Sequence, residues 1–299
     1  MLRLLNNVQS LLKHASAKIN LFLRVVGRRN DGYHLLESLV VFTEYGDEIF
    51  VQEDDELYLE VRGEFASGLS GFSKENNLVW KAATALKDYA LKANGRNCGA
   101  KIILTKNLPI ASGIGGGSAD AAATIHALCE LWNIDIPHED LLEISLKLGS
   151  DVPVCLQGKP ALMRGIGEDI TEIELLHKPY MVLVNPNIPL ATAEVFRDFA
   201  KSYDSSSHNI KNSDIVSIDN IIREKYYVND LENAAVGRLP VIGEIIKSLR
   251  STDGCLLAGM SGSGATCFAL YHEKKYADKA AEDLQKIYKN AWCVSTRIK

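Results

Sequence analysis

Alternating apolar and polar residues near the amino terminus predict a β-strand over residues 15–26. Every second residue from 17 to 25 is apolar, and the residues between them include Lys18, Asn20 and Arg24. Because successive side chains of a strand point to opposite faces, the pattern predicts one buried face and one polar face. Lys18 and Asn20 lie two residues apart, so both side chains are expected to reach one ligand.

A turn and a returning strand are predicted next. The Asp31-Gly32 pair is a tight-turn signal, and residues 35–42 have the composition of a strand. The β pattern continues through residues 48–61. The chain is therefore expected to begin with a β-rich region.

Helices and strands are mixed through the rest of the chain. Apolar residues at helical spacing predict helices, and short apolar runs predict strands. This mixture predicts an α+β fold of two domains, 1–165 and 166–299. Residues 201–214, rich in Ser, Asn and charge, predict a solvated loop. The predicted helices are 78–91, 118–132, 139–148, 193–200, 231–237, 242–249 and 274–288, and the predicted strands are 100–105, 181–184, 255–257 and 266–271.

Composition and charge argue against several classes of protein. The 299 residues are 46% hydrophobic and 24% charged, which is ordinary for a soluble globular protein. The formal net charge of −5 argues against a nucleic-acid partner, since such binders carry a basic face. No apolar stretch is long enough to cross a bilayer, and MLRLLNNVQSLL lacks the apolar run of a secretion signal. Neither a membrane partner nor secretion is expected.

The six cysteines indicate a reducing compartment. No pair has the C-x-x-C spacing of a zinc site or a thioredoxin-like motif, so the cysteines predict no metal site. Several lie among apolar residues, where a reduced thiol behaves as a small hydrophobic side chain. A cytoplasmic protein is therefore expected.

The most informative segment is PIASGIGGGSADAAA, residues 109–123. A predicted strand runs into the glycine-rich loop 113–118, and a predicted helix leaves it. Glycines let the backbone approach a ligand closely, and a helix start offers unpaired N–H groups and the positive end of the dipole. The loop therefore predicts an anion site, with a plain turn as the alternative. A second glycine-rich loop, GMSGSGAT at 259–266, favours phosphate binding.

Two familiar nucleotide loops do not fit this sequence. A Walker A loop needs Ser or Thr after Gly-Lys, but Gly158-Lys159 is followed by Pro160. A dinucleotide fingerprint starting at Gly113 needs glycine where Ser118 stands, which argues against a dehydrogenase.

Three segments, in family order, resemble the sequence motifs of the GHMP kinases. PIASGIGGGSADAAA is similar to that family's ATP-binding motif, AKINLFLRV to its first motif and GMSGSGATCFAL to its third. The likeness spans residues 13–271. It departs at Ala111-Ser112, where relatives tend to have glycine or another small residue, and residues 201–225 match no part of it. Three motifs together are far more specific than any one.

The segments AKINLFLRVVGRRNDGYHLLESLVVF, LGSDVPVCL and NPNIPLATAEVF resemble the family members that act on a cytidine diphosphate substrate. The resemblance implies a two-domain α+β fold with the active site in the cleft between the domains. It implies ATP-dependent phosphorylation of the 2-hydroxyl of 4-(cytidine 5'-diphospho)-2-C-methyl-D-erythritol, in the methylerythritol phosphate route to isoprenoid precursors. ATP and Mg²⁺ are the implied cofactors, and a monomer or homodimer is expected.

The resemblance gives the catalytic roles to Asp151 and Lys18. Asp151 would accept the proton of the substrate hydroxyl, and Lys18 would offset charge near that hydroxyl and the moving phosphoryl group. The alternatives are an aspartate that caps the next turn and a lysine that is only a solvated surface charge.

The resemblance places the cytosine at Tyr33, His34 and Phe196. The tyrosine would stack on the base, the histidine would bond its edge and the phenylalanine would cover the other face. Thr192 and Asn20 complete the implied substrate site. The alternatives are a rim position for Tyr33 and a core position for Phe196.

A further set of residues is implied to bind ATP. Within it, the Ser118 hydroxyl could contact the β-phosphate or Mg²⁺, or cap the helix. Asp120 suits the helix dipole but would repel phosphate, so it is expected to point aside or towards the metal ion. The implied ATP-binding residues are Asn77, Lys106, Pro109, Ile110, Ala111, Ser112, Gly113, Ile114, Gly115, Gly116, Gly117, Ser118 and Ala119.

Two rival functions stay open. Another GHMP kinase, acting on homoserine, mevalonate or a sugar, would not need the segment Gly32-Tyr33-His34. A catalytically inactive binding protein could share the fold, because fold does not fix function. Such a protein would usually have lost Lys18 or Asp151, and both are present.

Overall fold

The computed structural model describes residues 9–29, 32–175, 177–202 and 227–299. Packing divides the chain into two compact units, and each is assembled from separate stretches of sequence. The predicted domains, 1–165 and 166–299, are defined along the sequence and not by packing, so that division stays a prediction. The first unit contains the described residues up to Ala15, with Gly46–Leu108 and Gly117–Leu156, and the second contains Ser16–Tyr45, Pro109–Gly116 and the described part of Gln157–Lys299.

Strands and helices follow the predicted order closely, and two short 3₁₀ helices precede the first α-helix. The strands are β1 (Ser10–Arg28), β2 (His34–Asp54), β3 (Leu57–Arg62), β4 (Gly99–Thr105), β5 (Ala161–Gly165), β6 (Asp169–Glu172), β7 (Tyr180–Asn185), β8 (Cys255–Met260), β9 (Cys267–Tyr271) and β10 (Trp292–Arg297). The helices are α1 (Leu78–Asn94), α2 (Gly116–Trp132), α3 (His138–Leu148), α4 (Val152–Gln157), α5 (Thr192–Ser202), α6 (Glu232–Arg238), α7 (Val241–Arg250) and α8 (Lys274–Ile287), and the 3₁₀ helices are Ala66–Leu69 and Lys74–Asn76.

The first unit packs helices on a small sheet. The carboxyl-terminal part of β2 pairs antiparallel with β4, and β3 pairs parallel with β4. Asn77 caps α1, because its side chain accepts the N–H of Val79 at 2.9 Å. α2 is alanine-rich and is buried along most of its length, because alanine lets neighbouring elements approach closely.

The second unit contains an antiparallel sheet of order β10-β7-β9-β8, with α5, α6, α7 and α8 in the same unit. Its core includes Val182 and Val184 from β7, and Ile242 and Leu249 from α7, all buried. In the same unit, the amino-terminal part of β2 pairs antiparallel with β5, and β5 pairs with β6. This scaffold holds both glycine-rich loops.

The prediction that only one face of β1 is buried is wrong, since both faces of the strand are buried from Ala15 to Val25. Lys18, Asn20 and Arg24 are each 3% exposed or less. Polar partners make this burial tolerable: Asn20 bonds Ser38, and Arg24 lies 3.8 Å from Glu37. The face that was predicted to be solvated is therefore a buried polar face.

The structure also bears on the expectations for the cysteines, for membrane-spanning helices and for the loop 201–214. All six cysteines are free thiols. Among the described residues, no helix is long and apolar enough to span a membrane. Lys201 and Ser202 end α5, so the predicted loop 201–214 begins in a helix, and its remainder lies outside the described residues.

Candidate active site

The first glycine-rich loop is held against β1 in the second unit. The N–H of Lys18 donates to the carbonyl of Ile114 at 2.9 Å. Gly113 and Gly115 have φ of +75° and +63°, which glycine adopts easily and other residues do not. A Cβ on Gly115 would lie 3.1 Å from Cβ of Lys18, so glycine also allows the close approach.

The second glycine-rich loop braces the first. The buried hydroxyl of Ser261 accepts the N–H of Asn20 at 3.0 Å and donates to the carbonyl of Gly113 at 3.0 Å. The N–H of Thr266 donates to the carbonyl of Ser112 at 3.1 Å. These bonds tie the carbonyls of Gly113 and Ser112 to the second loop. The second loop thus supports the first, and its predicted role in phosphate binding stays a prediction.

We expect Ser261→Ala to lower the free energy of unfolding by about 1–3 kcal/mol, because it leaves a buried N–H and a buried carbonyl without their shared hydroxyl. Urea denaturation of the two proteins measures the change. Ser70→Ala, which removes an exposed hydroxyl, is the matched control and should change stability little. Equal stability of Ser261→Ala and wild type would contradict the bracing role.

α2 begins at Gly116, so Ser118 is its third residue and not its cap. The capping alternative for Ser118 is therefore wrong. The first N–H groups of a helix have no partner within the helix, and the dipole adds positive charge there. The start of α2 therefore offers the donors and the positive potential that suit an anion, and its role in phosphate binding stays a prediction.

The turn that carries Asp151 lies beside this helix start. Within the first unit, a Cβ on Gly149 would lie 4.0 Å from the hydroxyl of Ser118. Asp151 is partly buried and immediately precedes α4, and its carbonyl accepts the N–H of Cys155 at 3.2 Å. Its main chain therefore begins α4, in agreement with the capping alternative, while its side chain stays a candidate for catalysis.

Asn20 presents an acceptor with no partner. Its Nδ2 donates to the hydroxyl of Ser38 at 2.7 Å, and that hydroxyl donates to the carbonyl of Phe22 at 2.6 Å. Since Ser38 has used its proton, the orientation of the Asn20 amide is fixed. Its Oδ1 is buried and lacks a hydrogen bond among the described residues. A Cβ on Gly262 would lie 3.4 Å from that oxygen, so a ligand hydroxyl near the second loop could donate to it.

An aromatic cluster forms elsewhere in the second unit. The ring of His34 stacks on Phe196 at 5.0 Å between centroids, and Phe199 meets it edge-on at 6.2 Å. Tyr33 is 64% exposed, as its rim alternative predicted. Burial, and then the charge of Arg28, lower the pKa of His34, so the imidazole is neutral at neutral pH. Phe199 was missed by the sequence analysis, although it follows Phe196 at helical spacing.

This cluster is linked to the second loop. The hydroxyls of Thr192, at the start of α5, and Ser263 are 2.8 Å apart. The cluster, the second loop and residues 113–116 of the first loop thus lie in one unit. Hydrogen bonds link Thr192 to the second loop, and the second loop to the first. The turn between β1 and β2 supports His34 from the other side, where the N–H of Arg29 donates to the carbonyl of Tyr33 at 2.7 Å; Asp31 of the predicted turn lies outside the described residues.

Lys106 and Asp120 bond each other in the first unit. The ammonium of Lys106 is buried and bonds the carboxylates of Asp47 and Asp120. Two of its three N–H groups are thus engaged within the protein, and its ATP role stays a prediction. Asp120 points aside, towards Lys106. Asn77 has committed its Oδ1 to the cap of α1, which leaves only its amide NH₂ for a ligand.

The strand side of the first loop is also ordered. The hydroxyl of Ser112 donates to the carbonyl of Pro109 at 2.6 Å, which makes this segment a tight turn. Ala111, the position that departs from the family pattern, is exposed and has a φ of +50°. That conformation favours glycine and explains why glycine would fit there.

The comparisons with known proteins agree with the motifs. The family description "GHMP kinases N terminal domain" matches residues 77–159, and "GHMP kinases C terminal" matches residues 206–290. The chain is similar to the 4-diphosphocytidyl-2-C-methyl-D-erythritol kinase of Parvibaculum lavamentivorans, with 45% identity over 93% of this chain and 94% of that one. The kinase of the same name from Paramagnetospirillum magneticum is 42% identical over 95% and 97%.

A solved structure is similar in fold. The crystal structure of a 4-(cytidine 5'-diphospho)-2C-methyl-D-erythritol kinase gives a TM-score of 0.76, with 29% sequence identity over 97% of this chain and 100% of that one. The likeness therefore extends over both units.

Proposed function

The chain belongs to the GHMP kinase family, and on that premise we propose that it transfers the γ-phosphoryl group of ATP to the 2-hydroxyl of 4-(cytidine 5'-diphospho)-2-C-methyl-D-erythritol. The observation that carries the proposal is the aromatic cluster of His34 and Phe196, tied through Thr192 and Ser263 to the glycine-rich loops. Rings of this kind suit a nucleobase, because any base offers a flat face for stacking.

In the proposed reaction, the phosphates of ATP lie at the start of α2, where N–H groups and the helix dipole hold their charge. Asp151 accepts the proton of the attacking hydroxyl, and Lys18 stabilises the charge that develops during transfer. Asn20 Oδ1 accepts a hydrogen bond from a substrate hydroxyl. Transfer of this kind depends mainly on positioning, which the braced loop supplies.

Mg²⁺ enters the proposal as part of the MgATP substrate. Among the described residues, no group of three His, Cys, Asp or Glu side chains could hold a metal ion. Phosphate oxygens and water are the usual ligands of Mg²⁺ in kinases, so the nucleotide would bring most of them. We further propose a cytoplasmic enzyme that works as a monomer or homodimer, without a nucleic-acid partner.

The test is ADP release from MgATP with the cytidyl substrate, run beside homoserine, mevalonate and galactose. Turnover with the cytidyl substrate alone is the expected result. Turnover with another acceptor would keep the kinase and reject the substrate. No turnover with any of the four would favour the inactive binding protein.

We expect His34→Ala to raise the KM for the cytidyl substrate about tenfold, in line with the roughly 1–3 kcal/mol of one base contact, and to leave the KM for ATP unchanged. The measurement is steady-state kinetics with each substrate varied. His138→Ala, at the exposed start of α3, is the matched control. Equal increases in both KM values would contradict a role in base recognition.

The pH dependence gives a second check on the same residue. Because the pKa of His34 lies below its ordinary value of 6.5, the neutral ring persists as the pH falls from 8 to 6.5. The KM for the cytidyl substrate should therefore stay constant over that range in wild type and rise only at lower pH, where the ring gains a proton.

A further inference from the structure

A buried cluster of three charged side chains lies in the first unit, next to the start of α2. Lys106, which follows β4, donates to Oδ2 of Asp47 on β2 and, at 2.8 Å, to Oδ2 of Asp120 on α2. All three side chains are 4% exposed or less. One ammonium therefore faces two carboxyl groups, and full ionisation would leave a buried net negative charge.

The hydrogen bonds show which carboxyl group carries a proton. Asp47 Oδ1 accepts the N–H groups of Asn107 and Leu108, at 2.5 and 2.8 Å, while its other oxygen accepts Lys106. Asp120 Oδ2 accepts Lys106, and its Oδ1 is buried without a hydrogen-bond partner in the described part of the chain. Donors stabilise a carboxylate, and burial without donors destabilises it. The proton therefore belongs on Asp120.

The electrostatics of the cluster agree with this assignment. Burial raises the pKa of Asp120 to about 8, and the Asp47 carboxylate adds to the increase, while the Lys106 ammonium opposes it. Burial lowers the pKa of Lys106, but the charges of Asp120 and Asp47 outweigh it, so the ammonium stays charged. Lys106 and Asp47 are the charged groups that face Asp120 from the neighbouring elements.

We propose that Asp120 is a positioning residue of the ATP site, which fixes the first turns of α2 to Lys106 and Asp47 and is uncharged when the phosphates bind. It rests on the proposed placement of ATP at the start of α2. Asp120 lies four residues after Gly116, about 6 Å along the helix axis. An ionised carboxylate there would offset the positive potential that the helix start offers to an anion, and it would repel the phosphates. ATP binding and protonation of Asp120 therefore favour each other.

The experiment is calorimetric titration of MgATP, without an acceptor, from pH 7.5 to 9.5. The wild-type Kd should rise roughly three- to tenfold between pH 7.5 and pH 9.5 as Asp120 loses its proton. Asp120→Asn keeps the shape and the Lys106 contact but has no proton to lose, so its Kd should follow a flat profile.

Glu130→Gln is the matched control, since it removes one carboxylate from the exposed, distal part of the same helix. It should keep the wild-type profile. The inference is overturned by a flat wild-type profile, by an unchanged rise in Asp120→Asn, or by the same flattening in Glu130→Gln. Absence of wild-type ATP binding would instead reject the proposed function, and the inference with it.

The wild-type protein alone supplies a second measurement, in case Asp120→Asn does not fold. Binding heats at pH 8.5 in two buffers of different ionisation enthalpy give the number of protons taken up with MgATP. A fractional uptake is expected, because bound phosphate raises the pKa of the group beneath it. An uptake of zero would overturn the inference.

Discussion

Asp151→Asn is expected to bind ATP and the cytidyl substrate with near wild-type affinity while its kcat falls by about 10²- to 10⁴-fold, the usual contribution of a positioned general base. Asparagine has the shape of aspartate but cannot accept a proton from the substrate hydroxyl. The substitution separates this role from the capping role. Asparagine and aspartate are equally good helix caps, so α4 should still begin at the same residue.

The measurements are single-turnover rates together with the thermal unfolding midpoint. Asp135→Asn is the matched control, because it makes the same change at an exposed site in the same unit. A loss of rate with an unchanged midpoint supports the base. Near wild-type turnover of Asp151→Asn would reject Asp151 as the base, whatever its effect on stability.

Local patterns were enough to predict the long elements. α1 has apolar residues at helical spacing over several turns, and α2 is rich in alanine. Both helices could therefore be predicted without knowing which distant residues contact them. The four elements without a predicted counterpart, β5, β6, β10 and α4, are four to six residues long. Elements of this length form because neighbouring strands and helices pair with them. Such contacts are not visible in a short stretch of sequence.

The environment of the site residues depended on contacts far apart in sequence. β1 alternates as a half-solvated strand does, yet Asn20 is buried against Ser261, 241 residues later. From the local sequence alone, Lys106 would be taken for a surface lysine. The fold buries it because Asp47, 59 residues earlier, lies beside it. The sequence motifs were thus enough to locate the first glycine-rich loop. The bracing hydroxyl of Ser261 and the buried cluster around Lys106 could be recognised only from the folded structure.

Gly113 and Gly117 of the first loop look equivalent in sequence, but alanine substitutions at these two positions should differ in their effect on stability. We expect Gly113→Ala to lower the free energy of unfolding by about 2–5 kcal/mol: roughly 1–2 from the left-handed backbone and about 1–3 from overpacking. A Cβ there would lie 2.6 Å from the carbonyl oxygen of Gly264 and 2.7 Å from that of Ser261. Both are backbone atoms of the bracing loop, so neither can move aside alone.

Gly117→Ala is the matched change four residues later and should alter stability by no more than about 0.5 kcal/mol. Its Cβ would lie 3.3 Å from the tip of Leu78, a flexible side chain, and the position is already helical. Urea denaturation of both variants gives the comparison, and the KM for ATP should rise in Gly113→Ala as the loop shifts. Similar losses of stability in the two variants would mean that the two glycine-rich loops do not pack backbone against backbone. The interpretation that the second loop braces the phosphate site would then be rejected.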